Sequence, residues 1–150
     1  MMALLRHLLG PSRGDVTSAV EEVLREQNWE VQHEPIIGRV RPDILARDPN
    51  GATFVINVNQ GGWAANLGAV AQVEAFRNAV AREIGREAKG VLVVAGDASQ
   101  HLDDMAARAS VEVVRAGSGT AGSVRKSLTH SGVLLESPEL KPTAQHITGA

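Results

Sequence analysis

Arg41-Pro42-Asp43-Ile44-Leu45-Ala46, followed after a short turn by Phe54-Val55-Ile56-Asn57-Val58-Asn59, decides how this chain is read. A Pro-Asp opens the first apolar run, and Asp48-Pro49-Asn50-Gly51 closes it. Pro-Asn-Gly between two such runs is strong hairpin chemistry. Side chains alternate across a strand, so Arg39, Arg41, Asp43, Leu45 and Arg47 share one face of a strand predicted over residues 39–47. Asn57 and Asn59 share a face of the next strand, predicted over residues 53–59. A register that sets Asp43 beside them makes one cluster of a carboxylate and two amides. Val40, Ile44, Phe54, Ile56 and Val58 then form a core face.

The flanking segments supply the other elements. Asp15 is a candidate N-cap for a helix with Val16, Ala19, Val20, Val23 and Leu24 at helical spacing, which Asn28 can end. Trp29 to Glu34 reads as a short strand stopped by Pro35. Gly61-Gly62 breaks the third strand. A long helix is predicted from about Asn66 to Arg86, buried along Ala69, Val73, Phe76, Val80 and Ile84. Gly90 to Ala95 is the continuous apolar run of a strand covered on both faces. Asp97 or Ser99 caps a helix through Ala109, and Val111 to Val114 is a last strand. The expected organisation is an N-terminal arm and linker (1–14), a core domain (15–116), a Gly/Ser-rich connector with a short helix and strand (117–136) and a disordered tail (137–150).

Composition bounds the chemistry. With 150 residues, 43% hydrophobic and 21% charged, the chain has the size and make-up of one globular domain. It has no cysteine, which excludes disulfides, thiolate zinc sites and cysteine nucleophiles, and fits a cytoplasmic location. A net charge of −2 gives no whole-protein case for nucleic acid, so any such surface is a local patch. His7, His33, His101, His130 and His146 lack metal-like spacing. No run reaches membrane-span length, and the broken apolar start around Leu4, Leu5, Leu8 and Leu9 reads as an arm that packs on the body or on a second copy.

The hairpin resembles the metal site of the PD-(D/E)XK nuclease superfamily, in which Pro-Asp on one strand faces Asp/Glu-x-Lys on the next. Pro42-Asp43 is intact here, whereas Asn57 and Asn59 stand where the acid and the lysine belong. The RecB-like branch carries Gln-x-x-x-Tyr on the helix after the third strand. Gln72-Val73-Glu74-Ala75-Phe76 is similar, with Phe for Tyr. The element order also agrees, so the resemblance spans roughly Asp15 to Arg115. It implies a restriction-endonuclease-like α/β fold, a central mixed sheet flanked by helices in the order αβββαβαβ.

It also implies a site. Asp43 and Asn57 fall at the metal positions, for magnesium or manganese, and Asn59 and Gln72 at the remaining catalytic positions. Any surviving activity would be metal-dependent phosphodiester hydrolysis. Two departures at three core positions make efficient catalysis unexpected, since each loss of a site charge or orienting group costs orders of magnitude in rate. Glu21, Glu22 or Glu26 would be a replacement carboxylate, although all lie off the apolar stripe and read as a solvated face. Arg77 or Lys89 would be a replacement cation, and Gln60 a further water-orienting amide.

Arg39, Arg41 and Arg47 are candidate phosphate contacts, and Trp63, in a loop after the glycines, a candidate base-stacking group. The expected function is DNA-related work, such as restriction, repair or mobile-element defence, by a nucleic-acid-binding protein with an eroded metal site. An adaptor that self-assembles, as a homodimer for example, or binds a protein partner is the alternative. Gly117-x-Gly119-x-x-Gly122 has the layout of a dinucleotide fingerprint, but Glu136 follows too soon for the usual acid about 20 residues on, so a connector is the expected role and a nucleotide-binding module the weaker alternative.

Overall fold

A computed structural model describes residues 12–60, 63–96 and 100–135, except the side chains of 63–67 and 100. The elements run α1 (Arg13–Glu26), β1 (Glu30–His33), β2 (Ile44–Arg47), β3 (Thr53–Asn59), α2 (Trp63–Ile84), β4 (Ala88–Val94), α3 (Gln100–Arg108), β5 (Val111–Arg115) and α4 (Ala121–Ser131). The five strands lie in chain order in one sheet. β1, β2 and β3 pair antiparallel as a meander. β4 and β5 are added parallel, each after a crossover helix. This is the expected α/β fold with a mixed sheet between helices.

Strand parity sorts the core into two layers. Phe54, Ile56 and Val58 join Ile44, Ala46, Val91, Val93 and Val114 beneath α1 and α4. The alternate residues Val55, Leu92 and Val94 face α2 and α3. β3 and β4 are buried along almost their whole length, as central strands covered on both sides must be. Gly90 lets α2 approach closely, because a Cβ there would lie 2.8 Å from Val73 Cγ1.

The structure corrects several expectations. Ser12, not Asp15, caps α1. Its hydroxyl accepts from the Asp15 N–H at 3.1 Å, so the helix begins at Arg13, inside the expected linker. β2 starts at Ile44 rather than at residue 39. Pro42 cannot donate to a ladder, and Ile37 and Val40 instead form their own small bridge around Gly38 (φ 61°). Val40 therefore packs with Val55 and Val80, on the layer opposite to the one expected.

The segment after Ala116 is no loose connector. Val124, Leu128, Val133 and Leu134 are buried in the α1 layer, so α4 completes the core, giving the order αβββαβαβα. No strand forms at residues 132–135, where the chain turns back after Gly132 and Val133 and Leu134 pack as core instead. The arm (residues 1–11), Gly61-Gly62, Asp97, Ser99, Glu136 and the tail lie outside the described residues.

Candidate functional site

The site forms at the open end of the β2–β3 hairpin. Extending the Ile44–Ile56 register by two residues sets Pro42 opposite Val58. Proline has no N–H to give the Val58 carbonyl. Side chains complete the ladder instead. Asp43 Oδ2 accepts from the Val58 N–H at 2.7 Å, and Arg13 Nε donates to the Val58 carbonyl at 2.9 Å. The Arg13 Nη2 donates to Asp43 Oδ1 in a short, charge-assisted bond. The Arg13 N–H also reaches Gln60 Oε1 at 3.2 Å. The first helical residue is thus tied to the end of β3 by both its backbone and its side chain.

The amides join from the other side. Asn57 Oδ1 accepts from the Asp43 N–H at 2.9 Å, and Asn57 Nδ2 donates to Gln72 Oε1 on α2 at 3.4 Å. Asp43 and Asn57 are buried, and Gln72 is exposed. Phe76, one helical turn after Gln72, packs with Val55 and Val80. Asn59 lies two residues beyond Asn57 on the same face, half-buried, and its carbonyl accepts from Ala95 N–H at 2.9 Å. The structure therefore brings Asp43, Asn57 and Gln72 together, with Asn59 at the rim.

The arginines do not converge there. Arg39 sits in the Ile37–Val40 turn and Arg41 in the loop after it, not on a strand with Asp43. Arg41 donates to the Glu34 carbonyl at 3.2 Å and approaches its carboxylate at 3.6 Å. Arg47 ends β2 far from Asp43 and pairs with Glu30 at 3.9 Å. Trp63 begins α2 rather than lying in a loop, and its side chain is outside the described residues. Arg77 donates to the Ala109 and Ser110 carbonyls, and Lys89 lies 5.5 Å over the Phe54 ring. Neither of them supplies the site's cation; Arg13 does.

Two positions differ from the sequence reading. Arg13 falls inside the expected linker; the Ser12-x-x-Asp15 pattern is the signal that a helix starts there. Glu21, expected on a solvated face, is buried beneath β1, with His33 Nδ1 at 2.5 Å and Arg25 at 3.8 Å. The Glu21 carboxylate raises the His33 pKa above 6.5, first through the hydrogen bond and then through charge; Glu34 adds to this and Arg25 opposes it. A raised pKa means that the pair stabilises the fold in full below pH 6.5 and loses that contribution as pH climbs through the folded-state value. Thermal melts between pH 5.5 and 8.5 should show a decline in the parent that His33→Gln flattens; parallel curves for the two proteins would refute it.

The Gly117 turn is filled from within. Gly117 (φ 62°) faces the Ser123 hydroxyl, which lies too close for a Cβ to fit between them. That hydroxyl donates to the Ala116 carbonyl and accepts from the Ser118 N–H. Thr120 caps α4. The helix start where a pyrophosphate would sit is satisfied by its own side chains.

The same fold occurs in solved structures. A repair endonuclease from Pyrococcus abyssi superposes with a TM-score of 0.57 at 18% identity, over 68% of this chain and 45% of the other. The EndoMS–dsDNA2 complex superposes with a TM-score of 0.51 at 21% identity, over 63% and 38%. The fold is nuclease-like. No protein-family model and no curated protein matches the sequence. The chain spans less than half the length of either protein.

The nuclease-like hairpin does not offer a fit to a divalent ion. Magnesium sites rest on carboxylates with an open, near-octahedral shell. Here one carboxylate has both oxygens committed, and the Asn57 carbonyl oxygen is engaged by a backbone N–H. Among the described residues no cluster of three or more His, Asp or Glu offers an alternative.

Proposed function

We propose that this protein is a nuclease-fold nucleic-acid-binding protein of DNA-related work, such as repair, restriction or mobile-element defence, in which phosphodiester cleavage is weak or lost. The observation that carries this reading is the convergence of Asp43, Asn57 and Gln72 at the hairpin end of a fold shared with a repair endonuclease, with amides in place of a second carboxylate. The second of the similar structures, EndoMS, is seen in complex with dsDNA. Asp43, Asn57, Asn59 and Gln72 are then relic positions rather than a working catalytic set. Arg39, on an exposed turn, Arg41, Arg47 and Trp63 are the candidate contacts to phosphate and base.

Fluorescence anisotropy with a labelled duplex tests the reading. Three phosphate contacts predict about a 40-fold loss of affinity between 50 and 200 mM salt. Cutting of duplex and single strands with magnesium or manganese should stay near background. Salt-independent or absent binding, together with self-association in sedimentation, would overturn it in favour of an adaptor. The pairing of Arg41 and Arg47 with glutamates is the observation on that adaptor's side, because it lowers the positive charge available to a phosphate.

A further inference from the structure

We propose that the Arg13 guanidinium is a resident cation standing in the place of the divalent ion, so that this hairpin site is closed to magnesium and manganese by the protein's own first helix. The proposal rests on the nuclease-like reading of the hairpin and is independent of whether the chain binds nucleic acid.

Two oxygens at the end of the hairpin, Asp43 Oδ1 and the Val58 carbonyl, share one partner, and a third, Asn57 Oδ1, lies on the Asp43 N–H. Such a mixture of carboxylate and carbonyl donors is what a hard cation uses. One guanidinium donates to the first two, and the Asp43 N–H takes the third. The remaining carboxylate oxygen is held by the Val58 N–H. Arginine suits this substitution because its charge persists at any pH the fold survives and its planar fork reaches two acceptors at once.

The placement also runs against local preference. The first turn of a helix favours negative side chains, and Arg13 is a positive one. Asp43, 30 residues away, supplies the compensating charge. A bound dication would have to displace Arg13 from both acceptors or lie beside its positive charge.

Manganese titration of the full chain, read by the electron paramagnetic resonance of free Mn2+, tests this. The parent should leave the free-ion signal unchanged. Arg13→Gln and Arg13→Ala should each gain a site bound about tenfold or more tighter than anything in the parent, the scale set by groups around a metal's ligands. Adding Asp43→Asn should abolish the gain.

A second measurement needs no variant. Amide resonances of Asp43 and Val58 in the parent should not broaden on Mn2+ addition. Selective broadening there, or folded Arg13 variants that gain no site, would overturn the proposal. Loss of duplex binding by the parent would instead strike the proposed function and leave the guanidinium assignment standing.

Discussion

The combined change Arg13→Ala, Asn57→Glu, Asn59→Lys is expected to nick supercoiled DNA in manganese about 100-fold or more above the parent, whereas Asn57→Glu, Asn59→Lys alone stays near background. Restoring a site charge and an orienting group is worth orders of magnitude in rate when the site is otherwise shaped for it. Position 57 is already aimed at Asp43, as its 2.9 Å contact with the Asp43 N–H shows. Position 59 lies on the same face at the rim. With Arg13 in place, a second carboxylate would gain a salt-bridge partner rather than a metal, so the first-helix change makes the difference. Gel assays of plasmid relaxation with and without chelator read the result. Equal cutting by the double and triple changes would show that Arg13 does not gate the site.

Asp43→Ala should cost about 2–4 kcal/mol of folding stability. Two losses add: the buried Val58 N–H is left without its acceptor, at roughly 1–3 kcal/mol, and Arg13 loses its counter-charge. The upper figure for breaking a fully buried pair does not apply, because the Arg13 side chain is 52% exposed and water can solvate it. Asp43→Asn keeps an acceptor for Val58 and should cost about half as much. Urea unfolding reads the difference as a midpoint shift of about 1–2 M for the alanine change. A loss under about 0.5 kcal/mol would mean that the Asp43 network contributes nothing to the fold beyond an ordinary surface contact.

The hairpin was legible because its rules are local. Pro-Asn-Gly fixes the turn, and the two-residue alternation fixes which residues share a face. These together place Asp43 against Asn57, and the structure holds that contact. Gln72 was legible for a similar reason, since its place beside the stripe of Val73 and Phe76 aims it at the sheet. Arg39 and Arg41 were not, because strand parity fails through residues 39–42, where the chain leaves the ladder at Pro42. The C-terminal helix was expected but its place in the core was not, because Gly117 to Ser123 looks flexible by composition, whereas Ser123 and Thr120 hold it as an ordered turn.

By itself the sequence determined the α/β order and which residues share a face of each hairpin strand, because periodicity and turn chemistry act over a few residues. The tertiary structure alone decided what those groups meet. Arg13 and Asp43 are joined across 30 residues, and His33 and Glu21 across 12. No local pattern encodes which distant charge completes an open ladder or a buried carboxylate. That choice follows from how α1 packs on the sheet, which sets the Arg13 guanidinium on Asp43 and on the Val58 carbonyl at the open end of the hairpin.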